Sequence, residues 1–99
     1  MKRVMVRYKV KPDRVAENES AIARVFEALH AEAPAGLRYA SLKLDDGVSF
    51  VHLASFETAD GGNPLRELPA FQEFTAGIRD RCEVQPVTAG WVEVGSYRY

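Results

Sequence analysis

Hydrophobic periodicity in this chain of 99 residues switches from two to about 3.6 and back, twice. From Arg3 to Lys11 the apolar Val4, Val6, Tyr8 and Val10 alternate with Arg3, Arg7, Lys9 and Lys11, and Met5 falls among the latter. A period of two places successive side chains on opposite faces of a strand. Pro12 and Asp13 then predict a turn that opens a helix, because proline suits the first helical turn and aspartate favours its positive end. Val15, Ile22, Phe26, Leu29 and Ala33 follow at helical spacings. They predict one face of a helix of about five turns, ended by Pro34 and Gly36.

Leu37 to Leu44 alternates again, and Asp45-Asp46-Gly47 is a tight-turn signal that joins this strand to the next as a hairpin. The next strand, Val48 to Phe56, carries Val51 and Leu53 on one face and Phe50, His52, Ala54 and Phe56 on the other, which predicts burial of both. Thr58 to Pro64 is loop, with Asn63 placed to cap and Pro64 to open a helical turn. Pro69 begins the main second helix, whose apolar face runs through Leu65, Leu68, Phe71, Phe74, Ile78 and Cys82. Val84 to Tyr97, rich in Val, Thr, Trp and Tyr, predicts a last strand interrupted at Pro86. The order βαββαβ with right-handed crossovers predicts a ferredoxin-like α+β domain over residues 1–99: an antiparallel sheet with both helices on one face.

Thirteen Lys and Arg against fourteen Asp and Glu give a net charge of −1, which removes any general electrostatic case for nucleic acid or an anionic membrane surface. The basic residues from Lys2 to Arg14 alternate with apolar ones and predict a strand with one charged face. No apolar run approaches the ~18 residues of a membrane span, and the amino terminus lacks the apolar core of a signal peptide, so a cytoplasmic protein is expected. The single cysteine, Cys82, cannot form an internal disulfide and is expected to pack at a helix end. His30, His52 and Cys82 do not have the spacing of a metal site. Gly-x-Ser-x-Gly, phosphate-loop and dinucleotide fingerprints are absent from the sequence, and Gly61-Gly62 is a loop pair.

The cleanly apolar sets Val4/Val6/Val10, Leu42/Leu44, Val51/Leu53 and Val92/Val94 are suited to face the helices. The opposite face would then carry Met5, Arg7, Tyr39, Ser41, Phe50, His52, Phe56 and Trp91. A patch of that kind marks an interface or ligand site. The simplest cover is a second copy of the chain, sheet against sheet, giving a homodimer that encloses a cavity.

The strand Val4 to Pro12, the hairpin ending in Ser49-Phe50-Val51-His52-Leu53, the segment from Asn63-Pro64-Leu65 to Ala70-Phe71, and the tail Val94-Gly95-Ser96-Tyr97-Arg98 resemble the antibiotic biosynthesis monooxygenase group of dimeric α/β barrels. The resemblance covers nearly the whole length and implies the ferredoxin-like fold and the pairing above. That group also includes quinol oxygenases and haem-degrading enzymes. The latter carry a histidine ligand on the second helix, which the stretch from Leu65 to Cys82 lacks, so haem degradation is not expected.

His30, near the end of the first helix, suits a structural or solvated role at the negative end of the helix dipole. His52, flanked by Val51 and Leu53, must find a hydrogen-bond partner if buried, and serves either as a satisfied core histidine or as a base facing a ligand. Arg7, expected on the same side, either holds a carboxylate or a phenolate oxygen and offsets developing negative charge, or pairs with Glu93, or sits at the cavity mouth. Tyr39, Phe50, Phe56 and Trp91 are candidates to line an aromatic ligand or simply to pack. The resemblance implies a cofactor-independent monooxygenase acting on a polycyclic phenol or quinol, with His52 taking the phenolic proton, Arg7 stabilising the anion, and neither metal nor flavin required. A dimer that binds a small aromatic ligand without turnover, and a purely structural dimer, remain the alternatives.

Overall fold

Each proline that the sequence places ahead of a helical pattern opens one. The computed structural model describes all residues, 1–99. A short 3-10 turn at Pro12–Arg14 leads into helix α1, Val15–Glu32, and a second at Pro64–Glu67 leads into α2, Pro69–Arg81. Asn63 caps the second turn, its side-chain oxygen accepting the Leu65 N–H at 3.0 Å. The strands are β1 (Lys2–Val10), β2 (Leu37–Lys43), β3 (Ser49–Phe56) and β4 (Cys82–Gly90). They form one antiparallel sheet in the order β2-β3-β1-β4, the ferredoxin-like α+β arrangement the periodicity predicts.

The Asp45-Asp46-Gly47 turn behaves as its composition demands. Asp46 Oδ1 accepts from the Val48 and Ser49 N–H groups, and Gly47 takes the left-handed φ of 77°. This closes β2 onto β3 and sets the register in which Ser41 lies opposite His52.

The strand faces differ from the expected assignment. Val6 pairs with His52 and Tyr8 with Phe50 across β1 and β3, so Val4, Val6, Tyr8 and Val10 share a face with Phe50, His52, Ala54 and Phe56. That face meets the helices: Tyr8, Val10, Phe50 and Ala54 join Ala21 and Val25 of α1 and Phe74 and Ile78 of α2 in one core. Leu42, Val51 and Leu53 lie on the outer face instead, with Met5 and Arg7. Residues directly opposite in an antiparallel pair must share a face, so joining the valines of β1 to Val51 and Leu53 was incompatible with this register.

Two element ends also differ. β4 stops at Gly90, and Val92 and Val94 lie in an exposed tail without regular structure, not in a strand. β4 runs on through Pro86 at the sheet edge, where a missing N–H is tolerated, but its pairing with β1 is interrupted there: Val87 lies opposite Arg7 and Val84 opposite Lys9, with a register shift between them. In α1 the most buried positions are Asn18, Ala21 and Val25, flanked by Ile22, Phe26 and Leu29. Ala33 is not part of the apolar stripe; it is the C-cap, with a left-handed φ of 45° and its N–H bonded to the Leu29 carbonyl at 2.8 Å.

Gly36 makes the approach to β2 possible. Its φ is 76°, its carbonyl accepts the Glu57 N–H at 2.8 Å, and a Cβ added there would lie 2.1 Å from the Glu57 carbonyl oxygen. Left-handed backbone costs a non-glycine residue about 1–3 kcal/mol where the surroundings enforce it. Gly36→Ala should therefore destabilise the fold by at least about 2 kcal/mol, whereas Ala33→Gly should stabilise it by about 1 kcal/mol. Denaturant unfolding checks both, and equal midpoints for Gly36→Ala and the parent would contradict the close approach.

Candidate functional site

His52 occupies the middle of β3, with Ser41 directly opposite on β2 and Val6 opposite on β1. Tyr39 and Tyr8 are its diagonal neighbours on those strands, within reach of long side chains. All three hydroxyls turn to the imidazole. Tyr8 Oη is 2.7 Å from Nε2, while Tyr39 Oη and Ser41 Oγ are 2.6 and 2.8 Å from Nδ1.

The chain of polar groups continues into the helices. Asn18 of α1 donates from Nδ2 to Tyr8 Oη at 2.9 Å, and Arg81, at the end of α2, donates from Nε to Asn18 Oδ1 at 3.1 Å. Arg81 also donates to the Phe74 carbonyl at 3.2 Å and lies 5.1 Å over the Phe74 ring. It is buried, and none of the ion pairs involves it. Gly77 leaves room for it: a Cβ there would stand 2.6 Å from Arg81 Nη1. A glycine inside a helix costs about 1 kcal/mol relative to alanine, so this one has a packing reason.

Burial dominates the titration of the centre. With no charged partner, His52 is lowered to about 4 by desolvation. Burial raises Tyr39 to about 12 against the hydrogen bond from Ser41, and raises Tyr8 further still against the one from Asn18. At neutral pH the cluster is a neutral imidazole among neutral hydroxyls.

His52, Tyr39 and Tyr8 form one wall of a cavity of about 250 Å³ between the sheet and the helices. Val6, Phe71, Phe74 and Ile78 supply apolar surface, Asn63 and Thr75 add polar atoms, and the lining contains no charged side chain. This cavity lies within one chain, on the helix side of the sheet, whereas His52 was expected on the face turned to a second copy. His52 and Tyr39 are the two predicted site residues that reach it. Arg7 does not: it pairs across from Val51, on the exposed outer face, because it is one residue out of phase with Tyr8. Phe50 stacks on Tyr8 with ring centroids 5.6 Å apart and belongs to the core, and Phe56 is buried away from the cavity. Trp91 lies past the end of β4 beneath the Arg3 guanidinium, 5.5 Å from its ring centroid.

No protein-family model matches the chain, and no curated protein matches it. Solved structures do. A crystal structure of an antibiotic biosynthesis monooxygenase superposes with a TM-score of 0.77 at 14% identity, covering 96% of this chain and all of that one. Rv0793 from Mycobacterium tuberculosis gives 0.75 at 14% identity, with 96% of each chain covered. SnoaB, a cofactor-independent oxygenase from Streptomyces nogalater, gives 0.70 at 19% identity over 99% of this chain and 97% of its own. The chain has the fold of the antibiotic biosynthesis monooxygenases.

At these identities the antibiotic biosynthesis monooxygenase fold accounts for the backbone path, and the site rests on this chain's own side chains. Tyr8, Asn18 and Arg81 were not among the predicted site residues. The signal for two of them is present: Asn18 shares a helix face with Ala21 and Val25, and Arg81 one with Phe74 and Ile78. A polar group on a buried stripe must be hydrogen-bonded. No three or more His, Cys, Asp or Glu side chains gather so as to hold a metal ion, and no helix is long and apolar enough to cross a membrane.

The depressed His52 pKa fixes the sign of a pH effect. Between about 6.5 and about 4 the unfolded chain binds a proton at this residue and the folded chain does not, so stability is lost as pH falls through that window. The loss should approach about 3 kcal/mol at pH 4. Denaturant unfolding at a series of pH values should show it, and His52→Gln should flatten that part of the profile; an unaltered slope would place the acid sensitivity elsewhere.

Proposed function

We propose that the cavity binds a small, uncharged aromatic phenol or quinol and that the protein oxygenates it with O2 as a monooxygenase requiring no metal or flavin. The observation that carries this is a neutral imidazole at the wall of an apolar, charge-free cavity, beside a phenol hydroxyl. Removing the substrate's acidic proton makes an electron-rich anion able to pass electrons to O2. A ring methylene conjugated to a phenol, plus O2, balances to a ring carbonyl plus water, so the substrate supplies all the electrons. The shared fold with SnoaB, a cofactor-independent oxygenase, supports the same chemistry.

The volume of about 250 Å³ lies just below the ~300–1,000 Å³ of pockets for drug-sized ligands, which favours one or two fused rings over a polycyclic substrate. His52 becomes charged only if the phenolate stays beside it, since nothing else in the lining offers an opposite charge. Negative charge on the substrate oxygen is met by the Tyr39 hydroxyl, in place of the role expected of Arg7. Oxygen uptake with a panel of one- and two-ring hydroquinones and anthrone analogues tests the proposal. His52→Ala should lower the rate at least tenfold; an unchanged rate removes the histidine from the mechanism. A second reading, binding without turnover, is favoured by the engagement of both His52 nitrogens with protein hydroxyls. Ligand recovered unaltered after aerobic incubation would support it.

We also propose a cytoplasmic homodimer. The free Cys82 fits a reducing compartment. The outer sheet face carries Met5, Ala40, Leu42, Val51, Leu53, Val87 and Ala89 around Arg7, and Leu42 and Val87 are 47% and 64% exposed. An apolar sheet face of this kind suits a second copy. Sizing at micromolar concentration should give a dimer. Leu53→Asp should yield monomers, since burying an unpaired charge costs on the order of several kcal/mol; a monomeric parent protein would end the proposal.

A further inference from the structure

The hydrogen-bond chain that reaches His52 has a direction. A guanidinium has donors only, so the Asn18 atom that receives the Arg81 Nε–H must be the oxygen. Asn18 then presents its NH2 to Tyr8, whose oxygen accepts it. One Tyr8 hydrogen remains, and its other partner is His52 Nε2. If Nε2 carried a hydrogen, two donors would converge on the Tyr8 oxygen. The Tyr8 O–H would then have no acceptor on the protein, in a side chain that is 2% exposed. Nε2 therefore accepts, and the imidazole hydrogen sits on Nδ1.

We infer that Arg81 and Asn18 are positioning residues that hold His52 as its Nδ1–H tautomer and so make Tyr39 a hydrogen-bond donor to the cavity, selecting ligands with an acceptor oxygen such as a carbonyl or phenolate. The count of hydrogens at the other ring nitrogen gives the second step. Nδ1–H, the Tyr39 O–H and the Ser41 O–H surround two oxygens and no free nitrogen lone pair. Nδ1–H can only be accepted by these oxygens, so neither hydroxyl hydrogen can point at Nδ1. The Tyr39 hydrogen is left over, and Tyr39 is the member of the pair on the cavity wall. With the opposite tautomer the single Nδ1 lone pair would accept one hydroxyl hydrogen, and Tyr39, at 2.6 Å against 2.8 Å for Ser41, would turn its own inward and leave the cavity its lone pairs.

The tautomer assignment stands without the oxygenase proposal, whereas the ligand preference rests on the cavity being a ligand site. NMR of ligand-free protein labelled with 15N at histidine, near pH 7, should show His52 protonated at Nδ1 and bare at Nε2; protonation at Nε2 would overturn the inference. Asn18→Asp keeps an acceptor for Arg81 but has no N–H, so the Tyr8 O–H should turn to the new carboxylate and His52 should switch to Nε2–H. A folded variant with the parent's tautomer would remove Arg81 and Asn18 from the role. Shape-matched probes test the ligand side on the unmodified protein: 1-tetralone should bind at least about fivefold more tightly than tetralin, followed by shifts of the His52 ring signals. Equal affinity, or binding by neither, would overturn the donor assignment. None of these measurements involves turnover, so their failure is separable from that of the oxygenase proposal.

Discussion

The pairing of β1 with β3, with Val6 opposite His52, is the constraint on which the rest of the structure depends. Because side chains alternate with a strict period of two, a slip of one residue would send His52, Phe50 and Phe56 to the outer face and bring Val51 and Leu53 under the helices. The register is held at both ends. The Asp46 turn sets β3 against β2, and the Val10 N–H donates to the Val48 carbonyl at 2.9 Å where β1 ends. Tyr8 then stacks between Phe50 and His52, with centroids 5.6 and 5.3 Å away, so the core and the site share one ring.

Placing a polar chain through such a small core is costly unless every member is bonded. Arg81 is the extreme case, a guanidinium 5% exposed with no carboxylate beside it. Desolvating an ion costs several kcal/mol, on the order of the penalty for buried ions generally. Three contacts offset this: the Asn18 oxygen, the Phe74 carbonyl and the Phe74 ring face, with Gly77 giving up its side chain to admit the group. The same residues join α1, α2 and β1 through hydrogen bonds of defined polarity. A core of apolar side chains alone would hold these elements together without orienting a histidine.

Much of this was legible in the chain. Periodicity and the placing of Pro12, Asn63, Pro64 and Pro69 located every element of the fold, because capping and period are local properties. The faces were not legible, since alternation says that two sets of side chains part company but not which set meets the helices. Apolar character pointed to Val51 and Leu53, yet an outer face rich in Leu and Val is what a self-associating sheet also requires. His52 and Tyr39 emerged as site residues from being polar on an apolar strand. Arg7 is not with them, because it lies opposite Val51 on the other face, and Asn18 and Arg81 each interrupt a buried helical stripe, a weaker signal than a histidine in a strand.

The arrangement around His52 also bears on how a site without charge could handle a proton. An imidazole lowered to about 4 is a poor base toward a phenol near 10, and a proton taken from solvent would leave a buried imidazolium with no charged partner. In the proposed reaction, transfer from a ligand seated in the cavity would create an adjacent pair instead, the proton entering at Nε2 through the Tyr8 hydroxyl because Nδ1 already carries a hydrogen, so the anion formed would raise the basicity of the ring. On the proposed chemistry the proton would move only when a ligand is seated against the Tyr39 hydroxyl, and the resting site stays neutral. Coupling of this kind requires a dry cavity, in which the attraction between the new charges is not screened. Phe71, Phe74 and Ile78 give the helix side of the cavity an apolar lining that favours it. In the proposed reaction the apolar residues of α2 would thus be as much a part of the proton chemistry as the imidazole itself.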